Sequence, residues 1–228
     1  AGAATDTAII GGVQSDGGKT GLEALGEDSV NCKMVIAPFT DQRENMQNAL
    51  VTKAESTGKF MAVVSPPYGV GKVQDAIDWH NGAASDRSTA LNSSFAACYW
   101  PWVKTFSTFD GKDRWYAPEI FAVRQMCLTD GLVGSQQAPA GLSRGRLTKP
   151  VDVEVALNQG DRDSLYSGGN VLNPITKFDQ DGIVIFGQRT TERSTKVTNR
   201  VNVRRMMLDI REVILESTRQ FAFEPNDE

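Results

Sequence analysis

The residues with the clearest potential for chemistry are Gly18-Lys19-Thr20, which match the end of a phosphate-binding loop. Such a loop needs a glycine, four further residues and then Gly-Lys-Ser/Thr, because consecutive backbone amides must close around the phosphates. Here Val13 stands where the first glycine belongs, and Gly12 lies one position too far upstream. The spacing therefore favours a flexible loop. A nucleotide-binding α/β enzyme that uses Lys19 is kept as the alternative function.

A second glycine-rich segment, residues 69–72, also falls short of a phosphate-binding loop. Pro66 replaces the first glycine, and Val73 replaces the hydroxyl residue that would hold a metal ion. The segment is predicted to be a turn that leads into a helix at Val73.

One histidine and three cysteines leave little material for catalysis or metal binding. His80, beside Trp79, is interpreted as a cap or a packed side chain rather than a general base. The sequence has no Gly-x-Ser-x-Gly nucleophile motif and no CxxC pair, and no cysteine has a neighbouring base. The single histidine excludes a multi-histidine metal site, and these residues assign no catalytic, metal or cofactor site. The cysteines are Cys32, Cys98 and Cys127.

The composition describes a chain that can fold around a substantial core. Of the 228 residues, 40% are hydrophobic and 23% are charged, with 24 Lys and Arg against 28 Asp and Glu. The net charge of −4 argues against a protein whose main task is to bind nucleic acid. No apolar run approaches the roughly 20 residues of a membrane span. Neither nucleic acid nor a membrane is expected as a partner.

The elements that must position these residues alternate between strands and helices, as in an open α/β sheet with crossover connections. Strands are predicted at residues 7–10, 34–37, 60–64, 95–103 and 183–186. Helices are predicted at 42–56, 73–79, 118–134 and 199–221, the first capped by Thr40 and Asp41. Residues 14–29, 132–148 and 159–171 are predicted to be loops, whereas 150–158 fits either a helix or an edge strand. The predicted fold is α/β, with α+β as the variant: one open mixed sheet flanked by helices. Residues 1–228 are expected to form one domain, to which residues 1–29 fit less clearly.

In the helices that begin at Pro118 and near Asn199, apolar residues at helical spacing predict the faces that pack on the core. In the helix that begins at Pro118 these residues are Ile120, Val123, Cys127 and Leu128. In the last helix they are Val203, Met207, Ile210, Ile214 and Phe221. Four arginines lie outside the second stripe and are predicted to face solvent or a neighbouring subunit: Arg200, Arg204, Arg205 and Arg211.

An ordered series of short motifs resembles the tail sheath proteins of contractile bacteriophages and related injection devices. It covers the chain from about residue 30 to the end, and it implies a fold like the core of a sheath protein. The motifs are Tyr99-Trp100-Pro101-Trp102, Ala138-Pro139-Ala140-Gly141, Leu172-Asn173-Pro174-Ile175, Gly187-Gln188-Arg189-Thr190, Asn202-Val203-Arg204-Arg205 and Phe223-Glu224-Pro225-Asn226. Candidate structural or interaction residues carried over from them are Tyr99, Pro101, Trp102, Asn173, Arg189, Arg204, Arg205, Glu224 and Pro225.

The sequence departs from the family pattern at three motif positions. Phe186 replaces the usual Trp and Gln188 a small residue, both acceptable in a buried strand. Gly141 replaces an Asn, which puts the side-chain hydrogen bond of that turn in doubt. Arg189 follows the strand and is expected to pair with a carboxylate inside the subunit, with a contact between subunits as the alternative.

The resemblance implies a structural subunit that surrounds a tail tube and contracts by rigid-body rearrangement, driving the tube through the host envelope. The implied partners are other copies of the subunit, the tail tube protein, and the baseplate and tail terminator proteins of the intact particle. The implied location is the virion tail, assembled in the bacterial cytoplasm. Family members usually extend further at both ends. The chain is therefore expected to be a fragment, monomeric on its own because it lacks the arms that join subunits.

Overall fold

The fold comes from a computed structural model that describes residues 5–38 and 44–221. The predicted caps Thr40 and Asp41, and the candidate residues Glu224 and Pro225, lie outside the described residues.

A six-stranded mixed sheet forms the centre, in the order β1-β2-β3-β8-β9-β6. The first four strands in this order run parallel, and β9 and β6 then continue antiparallel. This confirms the predicted open mixed α/β sheet. The strands are β1 (Met34–Ile36), β2 (Met61–Val64), β3 (Ala96–Trp100), β6 (Arg146–Leu147), β8 (Leu172–Phe178) and β9 (Gly182–Ile185).

Within residues 5–38 and 44–221, seven α-helices accompany the strands, with 3-10 turns at 21–26, 197–199 and 219–221. The predictions for α2, α3, α4 and α7 are confirmed to within a few residues. Gly58 ends α2 as predicted, at a φ of 59°. The helices are α1 (Asp6–Ile10), α2 (Glu44–Thr57), α3 (Val73–His80), α4 (Pro118–Val133), α5 (Gly141–Arg144), α6 (Gln159–Tyr166) and α7 (Val201–Thr218).

Helices cover both faces of the sheet, which explains why all five residues of β3 are buried. Because side chains alternate along a strand, Ala97 and Tyr99 point to the cluster formed with α4 and α7. Cys98 and Trp100 point to the opposite cluster, formed with α3 and α6. The centre of the sheet is therefore buried on both sides, as expected for a rigid unit.

A second, three-stranded sheet follows directly from the first. The predicted strand at 95–103 is wrong in its extent, because Pro101 separates β3 from the next strand; the Trp100–Pro101 peptide bond is cis. Proline has no N–H for a strand ladder, so the chain leaves one sheet there and enters the other. The antiparallel order is β5-β4-β7, with β4 (Val103–Ser107), β5 (Lys112–Tyr116) and β7 (Asp152–Val153).

Three predictions of element type are wrong. Residues 7–10 lie in helix α1, not a strand; an apolar run this short does not distinguish the two. Residues 159–166 form helix α6 rather than a loop. The region 132–148 contains the end of α4, helix α5 and strand β6. Residues 150–158, for which the sequence fits either a helix or an edge strand, contain the edge strand β7.

The predicted apolar face is wrong for most of α7 and only partly right for α4, in which Val123 packs against the core. In α4 the buried residues include Phe121, Ala122 and Met126, whereas Cys127 and Leu128 are exposed. In α7 the buried residues are Val201, Arg205 and Leu208. Met207, Ile210 and Ile214 are exposed. The side of α7 that packs on the sheet is thus the side with more polar residues.

Candidate functional site

Asn173 joins three segments of the chain at the centre of the sheath-like motifs. Its amide nitrogen donates hydrogen bonds to the carbonyl oxygens of Cys98 (3.0 Å) and Arg189 (2.8 Å). Its amide oxygen accepts one from the backbone N–H of Arg189 (2.6 Å). The side chain is fully buried. Asn173 therefore fastens the segment after β9 to β3 and β8 through a single residue.

Gly187 allows this segment to approach Asn173 closely. A Cβ atom at Gly187 would lie 2.9 Å from both the Cα and the Oδ1 atoms of Asn173. Glycine is required here by close backbone contact, which explains the Gly-Gln-Arg-Thr order of the motif.

A Gly187→Ala substitution is expected to lower the free energy of unfolding by about 2 kcal/mol or more, because a rigid backbone contact must shift. The matched control is Gly131→Ala on the exposed face of α4, where a Cβ would meet nothing within 4 Å. That change is expected to stabilise the protein by up to about 1 kcal/mol through helix propensity. Urea denaturation measures both values, and equal effects of the two substitutions would contradict the assignment.

Arg189 contacts a carbonyl group and an aromatic ring rather than the predicted carboxylate. Its Nη1 atom donates to the Tyr166 carbonyl oxygen (3.0 Å), and the guanidinium lies 5.4 Å from the centroid of the Tyr166 ring. Within the described residues Arg189 forms no ion pair with Asp or Glu. Tyr166 ends helix α6, where exposed carbonyl groups carry partial negative charge, so an arginine is favourable there without an acid.

Tyr166 is also held by the segment that carries Arg189. Its hydroxyl oxygen accepts a hydrogen bond from the backbone N–H of Gln188 (3.1 Å). Burial raises the pKa of the Tyr166 phenol, partly offset by the Gln188 hydrogen bond and by Arg200 and Arg189. The phenol is thus a neutral structural partner.

The candidate aromatic residues Tyr99 and Trp102 are core residues. Both are buried, and the Trp102 ring nitrogen donates to the Pro66 carbonyl oxygen at 2.9 Å. Tyr68 packs edge-on against Trp102, with ring centroids 5.4 Å apart. These rings brace the corner around Pro101 where the two sheets meet, so they are positioned for rigidity rather than for contact with a ligand.

The prediction that four arginines face solvent or a neighbouring subunit is wrong for Arg204 and Arg205. Arg205 is buried and forms an ion pair with Asp130 of α4. Arg204 stacks over the Phe95 ring, 4.1 Å from its centroid, and donates to the Ser94 hydroxyl. Both candidate arginines therefore attach α7 to the body of the subunit.

Phe186 does not belong to the buried strand that was predicted. Strand β9 ends at Ile185, and Phe186 is exposed. Its ring packs edge-on against Phe178 (5.3 Å), with Arg162 above it at 5.7 Å. The replacement of the usual Trp by Phe thus affects a surface aromatic cluster.

Sequence reasoning missed two buried polar groups that stabilise the same region. Thr191 exchanges two hydrogen bonds of 3.0 Å with the backbone of Ser93. Arg87 is buried and donates to Gln47 (2.9 Å) and Asn48 (2.6 Å) while it covers the Trp79 ring. No local sequence pattern marks contacts between residues so far apart in the chain.

The glycine–lysine segments are structural. Lys19 forms an ion pair with Glu27 (2.8 Å). Its backbone pairs with that of Val13 in an antiparallel β-bridge, which closes a tight hairpin. No phosphate-binding loop precedes a helix there. Residues 69–72 form the predicted turn before α3, and the Gly69 N–H donates to Glu154 (2.8 Å).

His80 is packed inside the protein, as one of its two interpretations predicted. Its Nδ1 atom lies 3.4 Å from the Asn81 amide oxygen, and its Nε2 atom has no partner among the described residues. Burial lowers the pKa of His80 to about 4. The ring is therefore neutral at physiological pH and is a poor general base.

The buried imidazole makes stability depend on pH. Because the pKa of His80 is lower in the folded state (about 4) than the ordinary 6.5, its contribution is complete above pH 6.5. As the pH falls from 6.5 to 4, roughly 3 kcal/mol is lost, since the unfolded chain binds the proton more readily. His80→Gln should flatten the fall in unfolding free energy between pH 7 and 5. Identical slopes for both proteins would show that His80 does not titrate on unfolding.

The remaining reactive groups offer no catalytic arrangement in the described residues. Burial raises the pKa values of the Cys98 and Cys32 thiols, which disfavours thiolate. No group of three or more His, Cys, Asp or Glu side chains is placed to hold a metal ion in residues 5–38 and 44–221. Of the helices described, none combines the length and the apolar character needed to cross a membrane.

No protein-family model matches the chain. Comparison with curated proteins finds the tail sheath protein of Vibrio phage KVP40, 25% identical over 99% of this chain and 31% of that protein. The tail sheath protein of Enterobacteria phage T4 is 27% identical over 88% of this chain and 32% of that protein. The chain thus spans about a third of the length of these relatives.

Solved structures show the same fold. The anti-feeding prophage helical sheath in the contracted state has a TM-score of 0.65 and 21% identity, covering 91% of this chain and 51% of that one. The PVC sheath of an extracellular contractile injection system, also contracted, has a TM-score of 0.70 and 21% identity, covering 91% and 54%. The resemblance to contractile tail sheath proteins is confirmed in sequence and in fold.

Proposed function

We propose that this chain is the core module of a longer contractile sheath subunit, a structural protein rather than an enzyme. The observation that carries the proposal is the similarity to two phage tail sheath proteins along nearly the whole chain. The rigid sheet, its two packed faces and the internally paired arginines support a unit that moves as one body. Contraction is then a change in how such bodies contact one another.

In this proposal the chain acts in the virion tail, and its subunit assembles in the bacterial cytoplasm. Other copies of the subunit are its main partners, and the tail tube, baseplate and tail terminator proteins are the others.

Electron microscopy of the full-length gene product tests the proposal. Striated hollow tubes are expected, and a protein that forms no ordered polymer under any assembly condition would contradict it.

Arg189 provides a sharper test of where the interfaces lie. Its contacts with Tyr166 lie within the chain, so Arg189→Ala should destabilise the fold and leave the assembly of correctly folded subunits unchanged. A variant that folds with normal stability but no longer forms tubes would instead place Arg189 between subunits. The matched control is Arg114→Ala on the exposed strand β5, where Arg114 contacts Asp110 (2.7 Å).

The chain alone is proposed to be a monomer. Light scattering of the isolated chain is expected to give one subunit mass, and long polymers would refute this.

Titration with ATP and magnesium examines the alternative enzyme. Heat of binding that disappears in Lys19→Ala would support it, whereas the Lys19–Glu27 pair leads us to expect no binding heat.

A further inference from the structure

Helix α7 leaves its most apolar side without a partner in the described chain. Its inner side contributes Val201 and Leu208 to the core and pairs Arg205 with Asp130. On the opposite side Ile210 is 49% exposed and Ile214 is 54% exposed. A surface helix normally shows the reverse arrangement, with charged residues outside and apolar residues inside.

The exposed residues form a stripe, called here the outer stripe and defined as Met207, Ile210 and Ile214. Their spacing of three and four residues is the spacing by which one helix buries a seam against another. Adjoining α7, helix α4 also exposes Leu128 and Leu132. Surfaces of this kind in soluble proteins mark sites of contact.

We infer that an amphipathic helix from the same polypeptide, outside residues 1–228, packs against the outer stripe in the complete subunit. This inference rests on the proposed function, because it requires a sheath subunit longer than the chain. The matched region is 31% and 32% of the two curated relatives, and 51% and 54% of the two solved sheath chains. Sheath proteins of this fold therefore carry at least about as much further polypeptide.

A second copy of the chain suits the outer stripe less well. A contact between identical stripes on two subunits is symmetric about a two-fold axis, which closes a dimer and does not continue a helix. A helical sheath needs contacts that continue from one subunit to the next, so a self-complementary apolar stripe would compete with assembly. A helix of the same polypeptide that packs against the outer stripe prevents two subunits from pairing through it.

Cysteine labelling of the full-length gene product distinguishes the two occupants. Ile210→Cys reports on the outer stripe, and Val197→Cys is the matched control, since Val197 is 69% exposed and lies outside the stripe. Both are made in a Cys127→Ser background, because Cys127 is itself exposed. In full-length protein kept unpolymerised, maleimide should react with Ile210→Cys roughly ten-fold more slowly than with Val197→Cys. In the chain 1–228 the two rates should be similar.

Each outcome has a definite meaning. Equal labelling of both sites in the unpolymerised full-length protein overturns the inference. Protection of Ile210→Cys that appears only in assembled tubes also overturns it and assigns the outer stripe to a second copy. A full-length protein that shows protection but forms no tubes would contradict the proposed function while leaving the packing inference intact.

Discussion

Asn173→Ala is expected to lower the free energy of unfolding by about 3 kcal/mol or more, because three backbone groups, one buried and two partly buried, lose their hydrogen bonds to this side chain. The groups are the carbonyl oxygens of Cys98 and Arg189 and the N–H of Arg189. Alanine also leaves a cavity between β3 and the segment after β9. Urea denaturation with circular dichroism measures the change.

The matched control for Asn173 is Gln74→Ala. Gln74 is exposed on α3 and donates one hydrogen bond, to Asp78 (2.8 Å). Its replacement should change the unfolding free energy by less than about 0.5 kcal/mol. If Asn173→Ala were as mild as this control, Asn173 would not be the fastening point that its contacts indicate.

Asp130→Ala is expected to cost about 3 kcal/mol, because it leaves the guanidinium of Arg205 charged and buried without its partner. The side chain of Arg205 is only 4% exposed. The double variant Asp130→Leu with Arg205→Met should recover most of that loss, since an apolar pair removes the desolvation cost of both charges. Thermal unfolding of the single and double variants measures the difference.

The outcome that would contradict this account is a double variant less stable than Asp130→Ala alone. Such a result would mean that the ion pair contributes more than its burial costs. The matched control is the surface pair Lys177–Asp152 (3.1 Å), whose side chains are about half exposed. Removing that pair should cost less than about 1 kcal/mol.

The alternation of strands and helices could be predicted because it follows from local patterns. Residues 61–64 form a short apolar run closed by prolines, and Pro118 begins a helix that Gly134 ends. Helix α6 was predictable in principle from its capping box, in which Asn158 and Asp161 bond each other's backbone N–H groups. The absence of an apolar face in that segment concealed it.

The packing faces of α4 and α7 could not be read from periodicity. An apolar stripe predicts that a helix face is buried, but not by what. In α7 the stripe with the strongest spacing is exposed in this chain, whereas Arg205 enters the core because Asp130 lies on the adjoining helix. That partner is 75 residues away in sequence, which no local pattern reports.

The candidate site shows the same division between local and distant information. The order of the motifs is enough to select Asn173 and Arg189 as candidate residues. The prediction that Arg189 pairs with a carboxylate is wrong, because the end of α6 supplies a carbonyl group instead. The requirement for Gly187 follows only from the 2.9 Å approach to Asn173. Such distances depend on how β8 and β9 pair.

Electron cryo-microscopy of full-length sheath tubes in the extended and contracted states tests the central claim most directly. Residues 44–221 are expected to fit both maps as one rigid body, with internal Cα differences below about 1 Å. Only the contacts between copies should differ. A map that requires β3, β8 and β9 to separate from one another, or that has no place for this fold in the sheath, would contradict it.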